Sequence, residues 1–306
     1  RRGGQFLLSV WVLVTAAFLM IHLVPGDPVR AALGLNAPAE LVEARRAALG
    51  LDQPLIVQYF RYIGGLFTGD MGTSMITSQP VSEIIATRLP ATLQLALLAV
   101  VLVLLVSVPL GVTMAVATRG GRRRGLELAF ATGSVILAAI PEFLLAVGLV
   151  YVFAVSLGWF PVAGNTAPLS LVLPVVALAV GPIAVFSRII RAEVLSVLGQ
   201  DFIRTARAKR LAPHRIYSRH ALPNAMTATL TLTGLLLTGM VAGTVLVENV
   251  FAWPGLGTMI VQSILTKDYS VVQGIVLVYG VGVLIVNLVI DVILALLDPR
   301  STIREA

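Results

Sequence analysis

Long apolar runs, broken by short segments crowded with arginine, constrain this chain more than any other feature. The runs are 6–24, 91–118, 126–157, 171–190, 224–247 and 271–297. A bilayer core needs about 20 apolar residues of helix. Backbone in lipid must also satisfy its own hydrogen bonds, which a helix does internally. The expectation is an all-α integral membrane protein with six transmembrane helices. Composition agrees, with 58% hydrophobic and 12% charged residues. A soluble domain carries about a quarter charged residues.

Arginine placement sets the expected orientation. Arg119, Arg122, Arg123 and Arg124 follow the second run, and Arg188 and Arg191 follow the fourth. The stretch Arg188–Pro223 holds eight of the 22 Lys and Arg residues and only two acids, Glu193 and Asp201. Lys and Arg concentrate in cytoplasmic loops, so both termini are placed in the cytoplasm. The net charge of +7 is then a topology signal, and no nucleic acid partner is expected. No small-residue cleavage pattern follows the first run, where Pro25-Gly26-Asp27-Pro28 stands instead, so it is read as a retained span. Residues 25–90 carry five Arg and six acids, a near balance that suits a long external loop. Two helices are expected there. One starts at Pro38, with Leu41, Ala44 and Ala48 on a face and Gly50 as stop. The other starts at Pro54, with Leu55, Tyr59, Ile63 and Phe67 on an apolar face, and ends at the Gly69–Gly72 turn. His22 is read as an interfacial side chain.

Polar groups inside the runs are few. Pro141 should kink the third run, with Glu142 beside it near the middle. A carboxylate at that depth costs at least about 2.5 kcal/mol, so it faces protein or a wet cavity. A pathway residue and a buried helix contact are both open readings. The fifth run is rich in threonine, including Thr231 and Thr238, and carries a Gly239/Gly243 pair. Small residues of this kind permit close helix approach; a polar channel wall is the alternative. Asn287 and Asp291 share a face and are expected to meet protein.

Chemistry of the chain's own is not evident. There are no cysteines, and His22, His214 and His220 are too scattered to suggest a metal site. Neither Lys209 nor Lys267 follows a glycine, so no phosphate-binding loop is present. No catalytic residue, cofactor or metal is assigned. Any ATP-driven step would need a separate polypeptide. Within the basic stretch, 202–209 is expected to be helical, with Ile203 and Ala206 on one side and Arg204 and Arg207 on another. A second helix is expected from Pro213, which suits a first helical turn, to Leu222-Pro223. Such a pair could act as a lever under a docked partner, or could rest as an amphipathic hairpin on the membrane.

The stretch 204–225, RTARAKRLAPHRIYSRHALPNA, resembles the EAA loop of permease subunits of ABC-type importers. Arg204, Thr205 and Ala206 stand at the EAA positions and Leu222-Pro223 at the closing L-P; Arg210 replaces the usual glycine and His220 the usual isoleucine. Glycine suits a turn of this kind because it takes positive φ cheaply. The segments 22–28, 49–54, 69–72, 251–257 and 268–274 resemble the dipeptide/oligopeptide branch, in its B-type subunit. The resemblance implies a type I ABC importer permease fold with a long external loop after the first helix. It implies a prokaryotic cytoplasmic membrane, a homologous second permease, two cytoplasmic ATPase subunits holding ATP and Mg, and an external substrate-binding protein. The ATPase-docking residues it implies are Asp201, Arg204, Thr205, Ala206, Arg207, Lys209, Arg210, Leu211 and Pro213. Trp253, Pro254 and Gly255 lie where family members meet the binding protein; a simple interfacial turn is the bland alternative. Glu142, Thr231 and Thr238 are candidate pathway residues.

Three regions follow: 1–90 as first span and external loop, 91–298 as a five-helix core containing the docking loop 191–222, and 299–306 as a cytoplasmic tail. The expected function is half of a pathway for di- or oligopeptides, with nickel or glutathione import by the same machine as alternatives. An ion-gradient-driven secondary transporter, using Glu142 and Asp291, is the rival class. A membrane scaffold or lipid-binding protein is a third.

Overall fold

The computed structural model describes residues 2–23, 28–34, 37–48 and 50–297; the side chains of 2, 28, 31, 32, 227–238, 241, 242, 291 and 293–297 are outside that description. Apart from an isolated bridge between Thr73 and Pro80, every regular element described is helical. In chain order these are α1 (Arg2–Leu23), α2 (Pro28–Leu33), α3 (Ala39–Ala48), α4 (Leu55–Thr68) and α5 (Val81–Thr118). There follow α6 (Arg124–Ala139), α7 (Glu142–Leu149, continued by a π-helical stretch Val150–Ser156), α8 (Val172–Leu198) and α9 (Asp201–Ala208). Last come α10 (Pro213–Arg215), a π-helical turn Ile216–Ala221, α11 (Leu222–Val250), α12 (Leu256–Leu265) and α13 (Tyr269–Leu297).

Among the described residues, Gly3–Leu23, Val81–Gly121, Val172–Leu198 and Tyr269–Ile290 are long and apolar enough to cross a bilayer. The third run is not the single kinked span expected from sequence. Arg124–Ala139 and Glu142–Ser156 meet at 93°, because the chain turns extended at Ile140 and Pro141 (ψ 121° and 136°). Proline disfavours helical backbone in the residue before it, and a break of two such residues bends far more than a kink. α11 has 29 residues, with the side chains of its middle outside the description. The second span begins ten residues before the expected Ala91 because Val81, Ile84 and Ile85 are drawn into a core. α12 lies between the fifth and sixth apolar runs, where no helix was expected.

The chain packs as two units. The first comprises Arg1–Leu93 and Pro254–Ile285. Its core joins Val81, Ile84 and Ile85 of α5 to Leu256 of α12 and Val271 and Ile275 of α13. Gly274 leaves the space that the Val81 side chain fills. Thr92 Oγ1 accepts the Leu256 N–H at 2.8 Å. Asp268, itself buried, accepts the Ser74 hydroxyl and the Met75 N–H (3.0 Å), pinning the 73–80 turn to the start of α13. α1 and α4 are clasped by Thr15 and Tyr59, whose hydroxyls lie 2.8 Å apart, and by His22 Nε2 at 3.1 Å from Gln58 Oε1. His22 thus makes a specific bond rather than serving only as an interfacial ring. α3 and α4 form where the prolines and glycines place them, and Gly69 caps α4 at φ 79°. Their buried faces differ from expectation: Val42, not Leu41, is buried, and Leu55 (51%) and Phe67 (88%) are exposed.

The second unit comprises Gln94–Trp253 and Val286–Ala306. α8 is its axis, with α6, α7 and α11 packed on it. Gly111 lets α5 approach α8: a Cβ there would lie 2.8 Å from Ile190 Cβ and from the Ser187 carbonyl oxygen. Arg191 donates to Thr118 Oγ1 (3.0 and 3.1 Å) and to Glu127 Oε1 (2.5 Å). Arg119 donates to the Leu198 carbonyl at 3.2 Å. These two arginines, a topology signal in the sequence, therefore also tie helix ends together.

Candidate functional site

The basic stretch 188–223 forms a helical elbow. α8 continues to Leu198, eight residues past the end expected from hydropathy. Gly199 and Gln200 then turn the chain into α9. Ile203 and Ala206 are buried, and α9 packs on the 216–221 turn. Its opposite face leaves Asp201, Arg204, Thr205, Lys209 and Arg210 exposed, with Phe202 40% exposed among them. Arg204 and Asp201 pair at 3.3 Å, but both side chains are mostly solvent-exposed. An exposed pair of this kind is worth only about 0–1 kcal/mol, so it yields readily to a stronger anionic partner. Arg207 is half-buried, and its buried Nη2 has no hydrogen-bond partner among the described residues.

α9 ends in a Schellman turn. The Arg210 N–H donates to the Arg207 carbonyl at 2.8 Å, and the Leu211 N–H to the Ala206 carbonyl at 3.3 Å. That pattern requires a left-handed residue after the cap, and Arg210 supplies it at φ 54°. The missing glycine therefore does not change the turn; arginine accepts the backbone that glycine would take at no cost. Pro213 follows at the first position of α10, with Ala212 extended before it (ψ 139°).

Beyond Pro213 the structure departs from the expected pair of separate helices. Ile216 and Leu222 carry helical dihedrals at both joins, and the Leu222 N–H reaches the Tyr217 carbonyl five residues back. The helix thus runs without a stop from Pro213 to Val250. Proline inside a helix removes a donor and clashes with the preceding turn. The wider π turn just before Pro223 accommodates both effects. Sequence reasoning treats Leu222-Pro223 as a boundary because it has no signal for a π turn.

Glu142 lies at the corner of the bent pair, half-buried in the first turn of α7. Its carboxylate occupies the space that a side chain at position 243 would need. Gly243 thus makes room for an acid, while Gly239 has no neighbour within 4 Å of its would-be Cβ among the described residues. The side chains of Thr231, Thr238 and Asp291 are outside the described residues; Asn287 is exposed on this chain. Trp253 is 2% exposed and Gly255 is buried, so the surface of this turn is formed by Ala252 and Pro254. Sequence reasoning does not find the roles of Asp268 and Gly111: Asp268 stands only at the head of the 268–274 resemblance and Gly111 only as an interruption of an apolar run, and neither position signals its distant contact.

Two family models cover the chain. Residues 107–303 match the binding-protein-dependent transport system inner membrane component, and residues 1–96 match the N-terminal part of the same class of membrane component. A protein named as a peptide transport system permease in Brucella suis is 38% identical, over 98% of this chain and 97% of that protein. The glutathione transport system permease GsiC of Salmonella paratyphi A is 40% identical, over 96% of this chain and 94% of that protein. Among solved structures, the inward-facing MetNI methionine ABC transporter matches with TM-score 0.60 at 20% identity, covering 70% of this chain and 96% of that one; this likeness concerns the fold. The chain belongs to the binding-protein-dependent transport system inner membrane components, as a multi-pass permease subunit of an ABC-type importer.

Proposed function

We propose that this permease forms half of a pathway for di- or oligopeptides across a prokaryotic cytoplasmic membrane, with both termini and the elbow on the cytoplasmic side. Six spans are counted by adding α11 and the bent α6–α7 pair to the four long apolar helices. A homologous second permease supplies the other half, two ATPase subunits carry ATP and Mg, and an external binding protein delivers substrate near the 253–255 turn. Residues Asp201 to Pro213 dock on an ATPase, with Arg204, Lys209 and Arg210 facing acidic groups there. Glu142, Thr231 and Thr238 face the pathway. The observation that carries this reading is the elbow: a basic, exposed α9 continuous through tight turns with α8 on one side and α11 on the other. Movement of a docked ATPase then reaches two membrane helices without passing through a loose linker. The 40% identity to a glutathione permease favours glutathione as a second substrate reading, since it too is a short peptide.

Co-purification from native membranes should recover two ATPases and a second permease. Proteoliposomes with those partners and the binding protein should take up peptide only with ATP inside the cytoplasmic compartment. Uptake by the purified chain alone, driven by an ion gradient, would replace this reading with a secondary transporter. Competition between a dipeptide and glutathione separates the two substrates.

A further inference from the structure

Within the first unit lies a cavity of about 340 Å³, bounded by α1, the turn after α3, α4, the Asp70–Met75 turn and the start of α13. Small-molecule sites span about 300–1,000 Å³, so the space is at the small end of that range. Its walls are cross-tied. Gln58 donates to the Gln53 carbonyl (2.7 Å) and the Leu51 carbonyl (3.3 Å) while its oxygen meets His22. Gln273 donates to the Ala17 carbonyl at 3.0 Å. Gly65 allows the Asp70 turn to fold back, since a Cβ there would lie 2.9 Å from the Asp70 carbonyl oxygen. A cavity with so many ties is preformed rather than a gap awaiting collapse.

Two polar groups on these walls, on Arg61 and Tyr62, lack partners among the described residues. Arg61 is exposed and makes no ion pair or hydrogen bond among the described residues. One of its terminal nitrogens lies over Gly50, in the space that a side chain at 50 would fill, and Gly50 also needs its φ of +69°. The Tyr62 hydroxyl is buried with no hydrogen-bond partner among the described residues, and burial pushes it up to about 12. It therefore remains a proton donor throughout the physiological range. A buried donor left unmade costs about 1–3 kcal/mol. The guanidinium at the cavity, unpaired among the described residues while the Tyr62 hydroxyl is sealed in the wall, calls for a carboxylate. Asp70 stands on the same wall; its Oδ1 accepts the Gly72 N–H at 2.8 Å, and its charge suits an ammonium group.

We propose that this cavity binds a short peptide with free ends, its carboxylate at Arg61 and its amino group toward Asp70. The proposal rests on the peptide-import reading above and adds to it a permease-borne site on the substrate's route. The test uses the assembled transporter in nanodiscs, without the binding protein, and titrates the dipeptide Ala-Phe, its C-terminal amide and its N-acetyl form. Ala-Phe binds; the amide and the acetylated form each bind about tenfold more weakly or worse, as expected for loss of a charge-assisted bond. Arg61→Gln lowers Ala-Phe affinity by a similar factor and abolishes discrimination against the amide. Tyr62→Phe, at a hydroxyl sealed from the cavity, binds as wild type does, and Arg61→Lys recovers part of the affinity. Melting temperatures measured on each variant separate lost binding from lost folding. Equal affinity for acid and amide, or an Arg61→Gln complex that melts and binds like wild type, overturns the assignment. So does peptide binding that is present in phosphatidylcholine nanodiscs and abolished in phosphatidylglycerol nanodiscs at unchanged melting temperature, since the anion that the site takes is then a lipid headgroup. ATP-driven uptake by the same wild-type complex with its binding protein is measured in parallel. Uptake without cavity binding removes this proposal alone, whereas absence of any ATP-driven peptide uptake removes the importer reading itself.

Discussion

Arg210 shows how a residue can break a sequence pattern without breaking the structure. Its left-handed backbone costs a non-glycine residue about 1 kcal/mol. Arg210→Gly should therefore raise stability by about 0.5–1 kcal/mol, while Arg210→Ala should not; thermal melting of the purified complex compares them. Equal melting of Gly and Ala variants would remove the strain argument. The turn itself was legible at the level of position, because the resemblance marked residue 210 as the place for glycine. Its geometry was not legible, since sequence alone does not show how much strain a packed elbow tolerates. Tyr62 offers a second residue-scale test. Its folded-state value of about 12 lies above the ordinary 10, so the fold favours the protonated hydroxyl. The stability this represents is complete below pH 10 and is lost as pH rises toward 12. Absorbance at 295 nm should show a late-ionising component that Tyr62→Phe diminishes.

Pairs of helices depend on absent side chains. At Gly111 a methyl group would strike Ile190 and the Ser187 carbonyl, so Gly111→Ala should cost about 1–3 kcal/mol by overpacking. Gly243→Ala should cost a similar amount by displacing the Glu142 carboxylate from α11. A double variant with Glu142→Ala should recover part of the loss, and a strictly additive double variant would show that the two residues do not meet. Asp268→Asn weakens one of the two bonds that hold the 73–80 turn and should speed proteolysis there. Helix existence was largely legible because apolar runs and their proline and glycine punctuation follow directly from chain physics. Helix limits were less so. Hydropathy ends a span where polar residues begin, whereas α5 and α8 continue into polar sequence because Val81, Ile84, Val194 and Leu198 are buried. The bend at Pro141 was placed correctly but underestimated, since the proline was counted alone, without its bias of Ile140 toward extended backbone. The contact between Glu142 and Gly243 joins residues about a hundred positions apart and had no local signal.

At the scale of the whole protein, its role as an importer permease was carried by many short weak motifs acting together. The cavity beside α4 was invisible to that reading because its walls come from five separate segments. If the elbow transmits motion, then stiffness between it and α11 is what matters. Inserting two glycines after Leu222 should leave ATPase co-purification intact but reduce uptake by about 5- to 150-fold, the usual span of coupling energies. Undiminished uptake would mean that motion travels by another route. The unbroken helix from Pro213 to Val250 has 38 residues and so measures about 55 Å. A tilt of about 5° about one end sweeps the other through about 5 Å, close to the width of a peptide backbone. A small stroke at one tip of such a rod is therefore enough to open or shut a passage at the other.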